Sequence, residues 1–406
     1  NGQSEATAKR TIQAAVNASS ANDTIIVLPG MYDEGETFYF SASNRVAVTK
    51  TITLKSRDGA ATTHIVGRFD PTETDGMGTN AVRCISLVNG SRLEGFTLRN
   101  GGSRKDNNKG DQESNRAGGA FCGGSSTIIA DCIISNNVAT RGGAVNNGTV
   151  YRCVMTGNRA SNNGSATRDA RIYDSLIYRN KRSLGTGNSS VAYAPLVINC
   201  TITENEDLID ESKAILNCIL INNTGTGTGN AGYTNCLSDV TTLSSTYNIK
   251  TTNIQFVNPV YNDFRLIATA EAVDTANATF RTLIPIASTN DVYGNPRTNS
   301  RGLISLGAVE ATQSILGAVT LKKPTEGQLF FGTMSITNTT YVTYATWPTQ
   351  FVFTASATQA GRALRAFVIN NAWMPPRLGD NHIYLTPPNG ATTVVDERGH
   401  LAGIFT

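Results

Sequence analysis

Asp131-Cys132-Ile133-Ile134-Ser135-Asn136, Arg152-Cys153-Val154-Met155-Thr156-Gly157-Asn158 and Asp174-Ser175-Leu176-Ile177-Tyr178-Arg179-Asn180 are successive copies of one phrase. It returns as Asn199-Cys200-Thr201-Ile202-Thr203-Glu204-Asn205, Asn217-Cys218-Ile219-Leu220-Ile221-Asn222 and Asn235-Cys236-Leu237-Ser238. The cysteine position advances by 21, 22, 25, 18 and 18 residues. A period near 20 that tolerates such variation is one turn of a solenoid whose loops absorb the differences. In most copies Cys or Ser is followed two positions later by Ile, Met or Leu, as in a strand with one buried face. The closing Asn suits a tight turn, because Asn tolerates left-handed backbone angles and its amide bonds neighbouring backbone groups. Stacked turns predict an asparagine ladder. A second motif, Gly118-Gly119-Ala120-Phe121 and Gly142-Gly143-Ala144-Val145, repeats at 24 residues and marks the next strand of the coil.

These repeats predict an all-β chain, a right-handed parallel β-helix over residues 1–312. Its open end needs a cover, since exposed sheet edges recruit other chains. Residues 8–18, with Ile12, Ala15 and Val16 on one face, read as a capping helix, and Thr24-Ile25-Ile26-Val27-Leu28-Pro29-Gly30-Met31-Tyr32 as the first strand and turn. Past Glu310 the repeats stop. Short runs such as Leu329-Phe330-Phe331, Phe351-Val352-Phe353 and Ile383-Tyr384-Leu385, separated by Gly, Pro and Asn, predict a small antiparallel sandwich or roll over residues 313–406.

Composition narrows function. Charged residues are 16% of the 406 and the formal charge is +3, with no long Lys/Arg block, so nucleic acid is not an expected partner. No apolar run approaches the ~18 residues of a membrane-spanning helix. The chain opens on Asn1-Gly2-Gln3-Ser4, so any signal peptide is expected to have been removed. The seven cysteines are expected to be mostly free thiols stacked in the core, because adjacent parallel rungs orient them poorly for a disulfide. Cys-x-x-Cys pairs are absent and His64, His382 and His400 are scattered, which argues against zinc.

The opening Thr11-Ile12-Gln13-Ala14-Ala15-Val16 with Asp23-Thr24-Ile25-Ile26-Val27-Leu28-Pro29-Gly30 resembles that of secreted bacterial β-helix proteins of the pectin-lyase-like superfamily. The Asn-Cys-x-Ile and Gly-Gly-Ala repeats are similar to polymorphic outer-membrane-protein repeats. Asn262-Asp263-Phe264-Arg265-Leu266, Gly294-Asn295-Pro296-Arg297 and Leu306-Gly307-Ala308-Val309-Glu310 look like the closing coils of choice-of-anchor Q surface proteins. Ala272-Val273-Asp274-Thr275-Ala276-Asn277 departs from that group by lacking a glycine, and Ser305 stands where Asp is common. The resemblance covers residues 8–310 and implies the fold and an extracellular or bacterial cell-surface setting. It does not imply a reaction.

Two functions follow as expectations. One is a surface β-helix protein, glycan-binding or adhesin-like and a monomer, whose partner is a polysaccharide or cell-surface glycan. The other is a lyase or hydrolase of an acidic polysaccharide. Enzymes of the superfamily need clustered carboxylates, with calcium and an Arg or Lys base for lyases. The chain has no Asp-Asp pair and no His-Gly dipeptide, so no linear active-site phrase is recognisable. The densest candidate is Arg168, Asp169 and Arg171, with Tyr178, Arg179 and Lys181 one strand further on. An ion-paired solvated surface is the plainer reading of these residues. Trp373 in a Pro-rich loop is a further stacking candidate. No cofactor is expected; Asp106, Asn108 and Asp111 form a loose alternative for calcium, although Lys109 and Gly110 break the EF-hand spacing.

Overall fold

The computed structural model describes residues 2–105, 113, 115–182, 190–207, 209, 214–224, 232–239, 248–253, 255–267, 270–286, 289–298 and 302–311, together with six short strands beyond residue 318. The chain divides into two compact units, Asn1–Gln313 and Ser314–Thr406. In the second unit the described strands pair antiparallel, Val319–Leu321 with Phe353–Ala355, Met334–Ile336 with Thr340–Val342, and Ile383–Leu385 with Thr393–Val395.

The first unit is a parallel β-helix. Each coil passes through three sheets, as in Ala120–Cys122, Ile128–Ala130 and Ile133–Ser135, before returning to Val145–Asn146. We call these the third, first and second sheets; they hold seven, nine and ten strands among the described residues. Inward positions stack in register, for example Ile129, Val150, Ile172 and Val197 in the first sheet and Ile134, Met155, Ile177 and Ile202 in the second. All are fully buried, each contributing about 1.5–3 kcal/mol.

Both corners that flank the second sheet are two-residue devices. The first residue is left-handed and the second points inward. Between the first and second sheets the left-handed residues are Asp131, Arg152, Asp174, Asn199, Asn217 and Asn235, with φ from 46 to 54°. The inward partners are Cys132, Cys153, Ser175, Cys200, Cys218 and Cys236. The cysteines therefore lie in the turn, not in the strand where a simple alternation sets them. Their sulfurs accept from the backbone of the preceding rung, as in Cys132 N to Cys153 Sγ at 3.4 Å and Cys200 N to Cys218 Sγ at 3.3 Å. All seven thiols are free and buried. A thiol reagent should find none in the native protein and seven after unfolding; fast native labelling would contradict the packing.

At the second corner, Asn136, Gly157, Arg179, Glu204 and Asn222 take the left-handed angle. Asn137, Asn158, Asn180, Asn205 and Asn223 follow and form the inward ladder. Each amide Nδ2 donates to the next Oδ1, at 2.9, 3.0, 3.0 and 3.0 Å. The ladder thus uses Asn137 and Asn223 rather than the Asn136 and Asn222 that close the sequence phrases. The glycine motif is likewise one residue out: Ala120 pairs with Val145 and Arg116 with Arg141, an offset of 25, not 24.

The helix Ile12–Ala18, capped by Thr11 Oγ1 on Ala14 N at 3.1 Å, covers the N-terminal end. Gln13 pairs with both backbone groups of Ala47, at 3.1 and 2.8 Å, like one residue of a further strand. This satisfies the edge of Ala42–Val48 at Ala47, while Thr37–Tyr39 pairs with residues 42–44.

Parallel pairing runs through Ile249–Lys250. The segments 262–266, 294–297 and 306–310, which resemble closing coils in sequence, belong instead to a lateral cover formed by the described residues between 256 and 310. It comprises an antiparallel hairpin, Phe256–Asn258 with Asp263–Leu266, and the 3-10 turns Pro259–Tyr261 and Ala278–Leu283. Phe256, Phe264, Leu266, Leu306 and Val309 pack on the outward Leu176, Tyr178, Ile219 and Leu237 of the second sheet. Phe280, Ile284 and Ile286 pack on Tyr151, Tyr173, Ile198 and Leu216 of the first. No described helix is long and apolar enough to cross a membrane.

Candidate functional site

The outward row of the third sheet is the most distinctive surface of the coils. Ser86, Phe121, Asn146, Arg168 and Tyr193 occupy one register position on successive rungs, spaced by ~4.8 Å. They stand there because Ile85, Ala120, Val145 and Ala192, one residue earlier on four of these rungs, face the core.

One end of the row is closed. Arg83 is fully buried; its Nε donates to the Ala117 carbonyl at 2.8 Å, Nη2 to the carbonyls of Glu113 and Arg116 at 2.7 and 2.8 Å, and Nη1 to Asn44 and Ser86, each at 3.2 Å. The ring of Phe40 lies 4.8 Å from that of Phe121, and the Arg83 guanidinium 4.9 Å from it. These contacts clamp the covering residues onto the sheet and leave no donor for a ligand at Arg83.

The other end carries a cluster of arginines about Asp169. The Arg168 guanidinium lies 4.3 Å from the Tyr193 ring centroid, a cation–π distance. Asp169, held at φ 61°, presents Oδ2 at 3.5 Å to both Arg168 Nε and Arg116 Nη1. The backbone of Arg141 pairs with that of Arg116 on the neighbouring rung. Gly142 is required here: a Cβ would meet the Val145 carbonyl oxygen at 2.6 Å and Arg168 Cβ at 3.2 Å, and its φ is +66°. Two guanidiniums, those of Arg168 and Arg116, therefore share the Asp169 carboxylate. Burial pulls the Arg116 guanidinium below its ordinary range; Asp169 opposes this, and Arg168 and Arg141 add to it. Between Phe121 and Arg168, Asn146 is 2% exposed and its Oδ1 lacks a hydrogen-bond partner.

The sequence candidates separate onto different faces. Arg168 and Asp169 are together in this cluster. Arg171 begins a first-sheet strand and is exposed there. Tyr178 is 8% exposed on the second sheet, its ring 4.8 Å from Phe264 beneath the lateral cover. Arg179 is engaged with Glu204 Oε2 at 2.6 Å, Asn262 Oδ1 at 2.6 Å and the Pro259 carbonyl at 2.9 Å. These two residues hold the cover and lie away from the row. Lys181 is exposed in a short fourth sheet, paired with Arg159. Trp373 and the calcium alternative Asp106, Asn108 and Asp111 lie outside the described residues. Among the described residues no three His, Cys, Asp or Glu side chains gather as a metal site. Arg116, Arg141, Asn146 and Tyr193 join the site although the sequence reading passed over them. The signal for the two arginines was their place before each glycine pair, Arg116-Ala117-Gly118-Gly119 and Arg141-Gly142-Gly143.

No family model matches the chain, and no curated protein matches it. Among solved structures it is similar to a pectin methylesterase mutant in complex with a hexasaccharide, at 14% identity and a TM-score of 0.31, over 62% of this chain and 92% of that one.

Proposed function

We propose that this chain is a secreted or cell-surface β-helix protein that binds an anionic glycan around Arg168 and Tyr193 of the third sheet, as an adhesin-like element without turnover. The observation that carries this reading is the Arg168 guanidinium against the Tyr193 ring, with Arg116 beside it at Asp169. An aromatic face stacks on a sugar ring, and guanidiniums take a uronate or sulfate group. The extracellular setting is supported by the resemblance of residues 8–310 to secreted bacterial proteins.

The second reading, a polysaccharide lyase or hydrolase, is favoured by one observation: Arg116, lowered from its ordinary range, converges with an acid. A screen of the full chain against anionic and neutral polysaccharides, with and without calcium, separates the two. Retention on anionic chains without absorbance near 235 nm or new reducing ends is the expected outcome. Arg168→Ala and Tyr193→Ala should each weaken retention roughly tenfold, or about 1.4 kcal/mol, and added salt should weaken it further. Unsaturated product would move the reading to a lyase; equal retention of neutral chains, or none lost in Arg168→Ala, would sink the site.

A further inference from the structure

The lateral cover is fastened to the coils by a buried ionic cluster that the glycan row does not use. Arg297 is fully buried, with Nη1 donating to the Gly307 carbonyl at 2.9 Å. Its guanidinium lies between Asp174, at 3.6 Å on the left-handed corner of a coil, and Glu310, at 3.2 Å in the cover itself. Asp291 lies behind Glu310 and accepts its backbone N–H at 3.0 Å, besides those of Tyr293 and Asn295 at 2.9 and 2.8 Å. Glu310 Oε2 accepts from Ser305 N at 2.9 Å. Among the described residues, then, one cation faces two carboxylates with a third close by.

The docking surface around this cluster follows the column of corner side chains. Asn217 Nδ2 donates to the Asn277 carbonyl at 2.9 Å and Asn235 Nδ2 to that of Thr275 at 3.1 Å, while Gly307 N donates to the Asn217 carbonyl at 2.9 Å. A Cβ at Gly307 would meet Thr201 Oγ1 at 2.5 Å, so the cover sits at backbone contact with the second sheet. These bonds are insensitive to pH. The carboxylate excess is not.

We infer that Arg297, Asp174 and Glu310 form a proton-sensitive latch, which holds residues 256–310 over the apolar flank of the coils and loosens as Glu310 ionises. With Glu310 neutral, Arg297 pairs with Asp174 and the cluster carries no second uncompensated charge. With Glu310 ionised, a buried negative charge must share one guanidinium and face Asp291. Burial, reinforced weakly by Asp291 and opposed by Arg297 and Ser305, pushes the docked carboxyl up to about 7 from 4.5. A carboxyl raised in the docked state binds more protons docked than released, so docking weakens as pH climbs from about 4.5 to 7 and stays weak above. Release would uncover Leu176, Ile219 and Leu237 on the second sheet.

The test is hydrogen–deuterium exchange on the full chain at pH 5.5 and 8.0, corrected for the intrinsic pH dependence of exchange. Peptides within 256–310 should open on the order of tenfold more readily at the higher pH, while the inner strands 133–135 and 154–156 stay unchanged. In Glu310→Gln the cover should exchange slowly at both values. A cover that shows no pH dependence, a Glu310→Gln protein that keeps the wild-type dependence, or an equal change in cover and inner strands would each overturn the latch. If Glu310→Gln does not fold, the two wild-type profiles decide alone.

Discussion

Replacing Asn180 by leucine should lower the unfolding free energy by about 3–5 kcal/mol, whereas Asn222→Ala should cost about 1 kcal/mol. Both residues are asparagines near the same corner of the coil, and the contrast isolates what the ladder does. Asn180 is fully buried. Its Nδ2 donates to the carbonyls of Met155 and Tyr178 at 2.9 and 3.1 Å and to Asn205 Oδ1 at 3.0 Å, and its Oδ1 accepts from both N and Nδ2 of Asn158, each at 3.0 Å. Leucine keeps the branched skeleton but adds bulk in a fully packed site, and the donors of Asn158 and the acceptor of Asn205 lose a partner with no water to replace it. In a solenoid the rungs on both sides share the loss. Asn222 contributes chiefly its tolerance of φ 59° and sits at the surface. Urea-denaturation midpoints compare the two. Equal shifts would mean that the inward position has been misassigned.

That contrast also marks how far the sequence could be read. The Asn-Cys phrase revealed the coil because a period of 18 to 25 residues survives variable loops. It hid which of two adjacent residues turns inward, since Asn suits the left-handed residue and the buried rung alike. Asn136 and Asn137, or Asn222 and Asn223, cannot be told apart by residue type. The Gly-Gly pairs misled by one residue for a similar reason: the match of letters puts Gly118 opposite Gly142, while the backbone bonds Gly118 N to Gly143 O. The lateral cover was hidden more deeply. Leu176 and Ile219 are apolar on the outward face opposite the inward Ile177 and Leu220, so these strands are apolar on both faces and alternation gives no warning that something lies over them.

The site follows the same logic. Residues close in sequence turn a corner of the coil and leave for another face, whereas residues on one face lie a full turn apart. Arg168 and Asp169 were recognisable because both lie at one corner. Arg171, Tyr178 and Arg179 were grouped with them by nearness along the chain and sit on the first and second sheets and at the corner beyond. Arg116, Arg141 and Tyr193 come from coils on either side of Arg168 and reach it through strand register.

Cys153→Asp should destabilise the first unit by about 3–5 kcal/mol, while Cys153→Ser should cost no more than about 1 kcal/mol. The protein contains its own control. Ser175 occupies the rung next to Cys153, where its Oγ accepts from Cys153 N at 3.0 Å and donates to the Tyr173 carbonyl at 2.7 Å. Cys153 Sγ makes the matching pair of contacts, with Cys132 N at 3.4 Å and the Tyr151 carbonyl at 3.3 Å. A hydroxyl thus fits the position with both bonds intact. A carboxylate does not. It would lie against the carbonyls of Tyr151 and Ile129 in a site with no exposed surface and no cation, so it must either stay ionised at a desolvation cost or take up a proton. The same environment, chiefly through burial, already drives the Cys153 thiol well above its ordinary range. If the aspartate variant folds, protonation in the native state makes it more stable at pH 5 than at pH 8, a difference Cys153→Ser should lack. Denaturation midpoints at the two pH values supply both comparisons, and an aspartate variant as stable as the serine one would place residue 153 at the surface instead of in the ladder.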